Sequence, residues 1–211
     1  MGQANSIALG CAHLGPVRHV CAFFDGEDEA YRVLLPFIVD GLAAGQKAFH
    51  VVRPAQKADH LERLSDAGVD VAAAQARGQL EVQLNTQVYL QDGRFDGDRM
   101  LAAFEAMANA KQGYPLSRIV CDMDWACDGL AVFDDVLRFE ARVNRVWSQH
   151  DDVVICIYDV RQMSGDMVID VMRTHPMVLI GDVLQENPFF VPPEQFLRER
   201  VMKRAGATEA P

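Results

Sequence analysis

The chain has 211 residues, half of them apolar, and a formal net charge of −10 at pH 7. That length and apolar content suit one domain of ordinary size and exclude disorder. The negative balance argues against a dedicated nucleic-acid binder and against an anionic membrane surface as a partner.

Residues 1–16 are small, Gly-containing and aperiodic, and read as a flexible arm. A first strand is predicted over 19–24, followed by the acidic turn Asp25-Gly26-Glu27-Asp28-Glu29 and a helix over 27–44. Acids in a helix's first turn complement its dipole, so capping explains that cluster without further function. Pro36 lies inside the helix as a potential kink, and Gly45 stops it. A strand over 47–52 and a helix over 54–67 follow. Residues 69–76 are ambiguous. Alternation over 78–84 predicts a strand near a sheet edge, and Asp96 is an N-cap candidate for a helix over 97–110.

The stretch 118–129 organises the rest. Arg118 to Cys121 is a short apolar run that reads as a strand buried on both faces. Asp122, Met123, Asp124, Trp125 and Asp128 come directly after it, and a helix is expected from about Leu130 to Gln149. The most apolar strand is predicted over 153–160 and ends on Tyr158-Asp159. Then come a helix over 165–174, a strand over 177–180 with 183–191 as its hairpin partner, and an amphipathic helix over 194–204 carrying Phe196, Leu197 and Val201. The last seven residues read as disordered. Strands alternating with helices imply an α/β fold of three layers, with a mostly parallel sheet flanked by helices and a C-terminal hairpin and helix. The domain is expected over 17–193, with 194–211 as helix and tail.

Five cysteines occur without a CxxC pair, and Cys21, Cys121 and Cys156 sit inside apolar runs. They read as core residues of a protein in a reducing cytoplasm. No signal-peptide pattern and no run of about 20 apolar residues is present, so a soluble, cytoplasmic protein is expected.

Open parallel sheets bind ligands at the carboxyl ends of their strands. Asp25, Glu27, Asp122, Met123, Trp125, Tyr158 and Asp159 are therefore the candidate ligand-binding residues. Trp125 and Tyr158 lie at the ends of strands expected to be neighbours. They would form an aromatic wall for a small organic ligand, or else pack in the core. The acids could gather as a hard-cation site, but separate solvated carboxylates are the favoured reading.

The first strand and turn occupy the place of a phosphate-binding loop. The loop has one glycine, no lysine and four acids, which opposes a triphosphate. His19 and His175 would lie at the opposite edge of the sheet as structural residues, and no HxH or HExxH spacing supports zinc. No GxSxG elbow or Cys–His pair suggests a hydrolase. No catalytic residue, metal or cofactor is therefore assigned.

Several pieces together resemble the DcmR-like sensory (MEDS) domain of methanogens and methylotrophs. They are the run from His19 to Phe24, Phe37 to Gly45, Leu64 to Asp70, Gly78-Gln79-Leu80, Arg118 to Ala126, Glu140 to Asn144, Cys156 to Asp159, His175-Pro176 and Asn187-Pro188-Phe189. They cover roughly residues 18–192. Cys121-Asp122 stands where the resemblance leads one to expect Gly-Glu. The resemblance implies a RecA/KaiC-like fold without its phosphate loop. It also implies a non-catalytic signal-transduction sensor for a small organic ligand such as a hydrocarbon derivative. Output would pass to a protein partner, a kinase or a transcription regulator, without direct contact to nucleic acid or membrane. A homodimer is one form that contact could take. The alternative is an interaction scaffold or anti-sigma-type regulator with a vestigial nucleotide site, using the apolar face of the last helix.

Overall fold

A computed structural model describes residues 6–110, 113–127 and 133–207, except for the side chains of 203–207. Asp128 and the expected helix start at Leu130 lie outside the described residues, as do 1–5 and 208–211.

Strands β1 (Ile7–Leu9) and β2 (Ala12–Leu14) pair antiparallel. The arm expected to be loose therefore contains an ordered ribbon. Ile7, Leu9 and Leu14 are buried, and the Cys11 amide donates to the Asp182 carbonyl at 2.8 Å. Gly10 makes the turn at φ +58°, where a Cβ would stand 2.2 Å from that same carbonyl oxygen.

Next come β3 (His19–Phe24), α1 (Glu27–Ala43), β4 (Lys47–Val52), α2 (Lys57–Asp66), α3 (Val71–Ala76), β5 (Leu80–Leu84) and the short α4 (Asn85–Val88). The chain continues through α5 (Gly97–Asn109), β6 (Ser117–Asp122), α6 (Phe133–Trp147), β7 (Val153–Asp159), α7 (Gly165–Met172), β8 (Met177–Ile180), β9 (Val183–Glu186) and α8 (Pro193–Ala207). The ambiguous stretch is helical because the Asp70 side chain caps it, accepting from the Ala73 amide at 2.9 Å. Asp96 caps α5 as expected, accepting from the Asp98 and Arg99 amides. Among the described residues, no helix is long and apolar enough to cross a membrane.

Seven strands form one sheet in the order β5-β4-β6-β7-β3-β8-β9, parallel except for β9. The alternation over β5 does mark an edge. β3 is buried along its whole length because both of its faces are covered. Val20, Ala22 and Phe24 face a core built with Leu34, Phe37 and Ile38 of α1. Cys21 and Phe23 face the opposite core, built with Phe104 of α5 and Leu137 and Phe139 of α6.

Phe196 of α8 is fully buried in that second core, while Val201 is exposed. The last helix thus packs on its own domain. Arg200 anchors it to Asp134 and Asp170 at 2.6 and 2.8 Å.

Gly41 shows tertiary packing overriding helix propensity. Replacing a helical glycine with alanine ordinarily gains about 1 kcal/mol. Here the new Cβ would fall 2.5 Å from Cδ and Nε of Arg118. That side chain is buried, lies 4.4 Å over the Phe37 ring, and donates to Gln46 Oε1 at 2.6 Å and to the Phe37 carbonyl. Gly41→Ala should therefore destabilise the protein by about 1–3 kcal/mol in urea unfolding. A gain in stability would show that Arg118 shifts freely.

Candidate functional site

β3, β4, β6 and β7 end side by side beneath α1 and α2, and a cavity of about 60 Å³ opens there. Phe24, Leu34, Ile38, Val52, Val120 and Ile157 give it apolar walls. Glu27, His50, His60, Asp122 and Asp124 add polar groups. At roughly 10–15 Å³ per water-sized group, the space suits on the order of four to six heavy atoms. Its place, where β3 separates β7 from β8 and the chain crosses back to β4, is that of ligand sites in open parallel sheets.

Two arginines tie the acids together. Arg53, just past β4, donates to Asp122 Oδ2 at 3.1 Å and Glu27 Oε1 at 3.0 Å, and lies 3.4 Å from Asp124 Oδ2. Arg161, just past β7, holds Asp159 at 2.7 Å and approaches Asp25 at 3.6 Å. The carboxylates are thus paired with guanidinium groups, Asp25 and Glu27 exposed and Asp122, Asp124 and Asp159 buried, because β4 lies beside β6 and β3 beside β7.

Burial pushes the Asp122 carboxyl up, against the pull of Arg53. Burial, with Asp122 beside it, pushes Asp124 up to about 7. Hydrogen bonds from Arg161 hold Asp159 down at about 2. Asp124 also fixes the local chain, accepting from the Asp159 amide at 2.8 Å and from Gln162 Nε2 at 3.3 Å.

A hydrogen-bonded row crosses the cavity wall. Tyr31 Oη lies 2.9 Å from His60 Nδ1, and His60 Nε2 lies 2.9 Å from His50 Nδ1. His50 Nε2, at the end of the row, is buried without a protein partner. Burial holds His50 well below the usual imidazole range and brings His60 down to about 4. A depressed pKa contributes stability that is full above the unfolded value of 6.5 and lost as pH falls through the folded value. For His60 that window runs from 6.5 to about 4 and is worth up to about 3 kcal/mol. Imidazole NMR should show His60 neutral at pH 5.5. A midpoint near 6.5 would contradict the buried row.

Of the residues expected from sequence, Glu27, Asp122, Tyr158 and Asp159 border the cavity, while Asp25, Met123 and Trp125 do not. Asp25 is exposed, and Met123 and Trp125 are fully buried in the core on the other sheet face. The Trp125 ring stacks on Tyr89 at 4.9 Å and lies 5.5 Å from Phe95. The Tyr158 ring also packs on that face, 5.7 Å from Phe23, so it meets the cavity only at its strand end. The expected aromatic wall does not form, because alternation in β7 turns Ile157 toward the cavity and Tyr158 away from it.

Tyr31, His50, Arg53, His60 and Arg161 were not legible as site residues. His50, polar among the apolar residues Ala48 to Val52 of β4 and at an inward-facing position, was the one available signal.

The profile of MEDS, the methanogen/methylotroph, DcmR sensory domain, matches residues 18–176. The transcriptional repressor DcmR of Methylorubrum extorquens is 25% identical over 159 residues, 74% of this chain and 57% of that protein. This chain therefore spans little more than half of that relative. The crystal structure of the flagellar accessory protein FlaH from Methanocaldococcus jannaschii aligns with a TM-score of 0.52 at 13% identity, covering 78% of this chain and 72% of that one. That likeness is one of fold, the RecA-like arrangement of a mostly parallel sheet between helices. With the profile running from the start of the first sheet strand to the end of the loop after α7, the chain belongs to the MEDS family of sensory domains.

Proposed function

We propose that this domain senses a small organic molecule in the cavity beneath α1 and α2 and passes the signal to a partner protein, without catalysing a reaction. Sensory-family membership and the likeness to a transcriptional repressor support a regulatory role. The observation that carries the ligand reading is His50 Nε2, a buried polar atom without a protein partner on the wall of a mostly apolar cavity. Such an atom costs about 1–3 kcal/mol if left unmade, and a small ligand bearing one polar group would satisfy it. Largely apolar walls, an unpartnered imidazole nitrogen and room for a few heavy atoms fit a short alcohol, amine or similar hydrocarbon derivative.

The loop after β3 supports a non-catalytic reading. Its Asp25 amide is taken by Glu29 Oε2 at 2.7 Å, and Glu27, Asp28 and Glu29 crowd the first turn of α1. A triphosphate there would meet carboxylates where nucleotide enzymes offer amides and a lysine.

A thermal-shift screen of short alcohols, amines and halogenated hydrocarbons tests the proposal. A ligand at about 100 times its Kd should stabilise the protein by roughly 2.7 kcal/mol. Ala30→Leu, which fills the cavity from α1, should abolish that shift. Equal stabilisation of wild type and Ala30→Leu, or no shift with any compound class, would sink the cavity reading.

A further inference from the structure

At the amino end of the sheet, away from the cavity, four side chains from four parts of the chain converge. His19 begins β3, Cys156 lies within β7, Glu140 is on α6, and His175 follows α7. All four are buried, and their ligand atoms lie within 4.8 Å of one another.

The arrangement around the two imidazoles fixes which nitrogens face inward. Asn144 Nδ2 donates to the Glu140, Ala141 and Thr174 carbonyls. Its Oδ1 is thereby fixed as an acceptor, and His19 Nδ1, at 2.9 Å, must carry the proton that fills it. His175 Nδ1 lies 3.0 Å from the Val171 carbonyl and 2.9 Å from Thr174 Oγ1, whose own hydroxyl donates to the same carbonyl. Both rings therefore direct Nε2 toward Glu140. Anchoring of the far ring nitrogen by a carbonyl oxygen is how proteins orient metal-ligating histidines.

The spacing is close to that of ligands around an ion, and the two imidazole–carboxylate contacts are longer than ordinary hydrogen bonds. His19 Nε2 and His175 Nε2 each lie 3.4 Å from Glu140 Oε2, and His175 Nε2 has no hydrogen-bond partner. Cys156 Sγ lies 3.7 Å from His19 Nε2 and 3.8 Å from Glu140 Oε2. Ligands at about 2.0–2.1 Å (N, O) and 2.3 Å (S) from a tetrahedral ion stand roughly 3.3–3.6 Å apart.

We propose that His19, Glu140, Cys156 and His175 form a closed structural site for a divalent transition metal of the zinc class. Charge agrees with this assignment. A thiolate and a carboxylate with two neutral imidazoles balance one divalent cation, leaving a buried site with no net charge. The mixed N, O and S donors select zinc-like ions over magnesium or calcium. All four positions are protein atoms, which makes the site structural rather than catalytic. The ion would tie α6 and the loop after α7 to the two central strands β3 and β7. The expectation of no metal rested on sequence spacing, and these ligands are scattered from position 19 to 175.

Metal analysis of the purified full chain, followed by reconstitution of metal-stripped protein with Zn²⁺ and with Co²⁺, tests the site. Equimolar metal, a metal-dependent rise in Tm, and a cobalt spectrum with tetrahedral ligand-field bands and thiolate charge transfer are expected. Cys156→Ser should lose the charge-transfer band, and Cys21→Ser, a buried cysteine outside the set, should keep it. Failure of wild-type protein to take up either ion at equimolar level would overturn the proposal, whatever the variants do. So would a charge-transfer band that persists in Cys156→Ser or disappears in Cys21→Ser.

Discussion

Arg53→Leu should destabilise the domain by about 3–5 kcal/mol at pH 8, and by clearly less at pH 5. Arg53 is the shared partner of Glu27, Asp122 and Asp124, and the last two are nearly buried. Removing one member of a buried ion cluster leaves uncompensated charge, which typically costs that amount. The pH dependence follows from the direction of the shifts. Asp122 and Asp124 have folded pKa values above the ordinary 3.8, about 7 for Asp124. Their contribution to stability is therefore full below 3.8 and lost as pH rises through the folded value. Without Arg53 those folded values rise further, so protonation relieves the repulsion more readily at pH 5 than at pH 8. Urea unfolding of wild type and variant at the two pH values measures the difference. An equal loss at both would mean that Arg53 acts through packing of its stem.

Trp125→Ala should cost about 3–5 kcal/mol and leave any small-molecule response of the folded fraction intact. The side chain is fully buried, stacked on Tyr89 and close to Phe95, on the sheet face opposite the cavity. Truncation removes a fully buried indole from that core and leaves a hole that its aromatic neighbours cannot close. Trp125→Phe keeps an aromatic contact and should lose much less. Urea unfolding gives the cost, and the ligand panel at a temperature where the variant stays folded gives the second readout. A stabilising compound that no longer acts on Trp125→Phe would return this residue to the ligand wall.

The two experiments separate the acids from the aromatics of the stretch after β6, which the sequence presents as one group. Asp122 and Asp124 reach the cavity region and its arginines. Met123 and Trp125 point into the opposite core, because the chain leaving β6 enters a 3₁₀ turn over Asp124–Ala126 that buries the ring. Adjacent positions in the chain thus serve different sides of the sheet. The same division applies to Ile157 and Tyr158 at the end of β7.

Local pattern determined a good deal by itself. Runs of apolar residues, helical spacing and turn residues marked β3, β4, β6, β7 and β8, the helices between them, the edge position of β5 and the cap at Asp96, because each depends on neighbours a few positions away. The alternation of strand and helix was enough for a three-layer α/β fold. Tertiary structure alone decided which side chains meet. Strand order places β4 beside β6 and β3 beside β7, so Arg53 and Arg161 reach acids from other segments, and Arg53 spans 69 positions to Asp122. The same crossovers bring His60 to His50, and gather His19, Glu140, Cys156 and His175 at the far end of the sheet. Packing of parallel strands and their crossover helices creates those contacts, and no local periodicity encodes them.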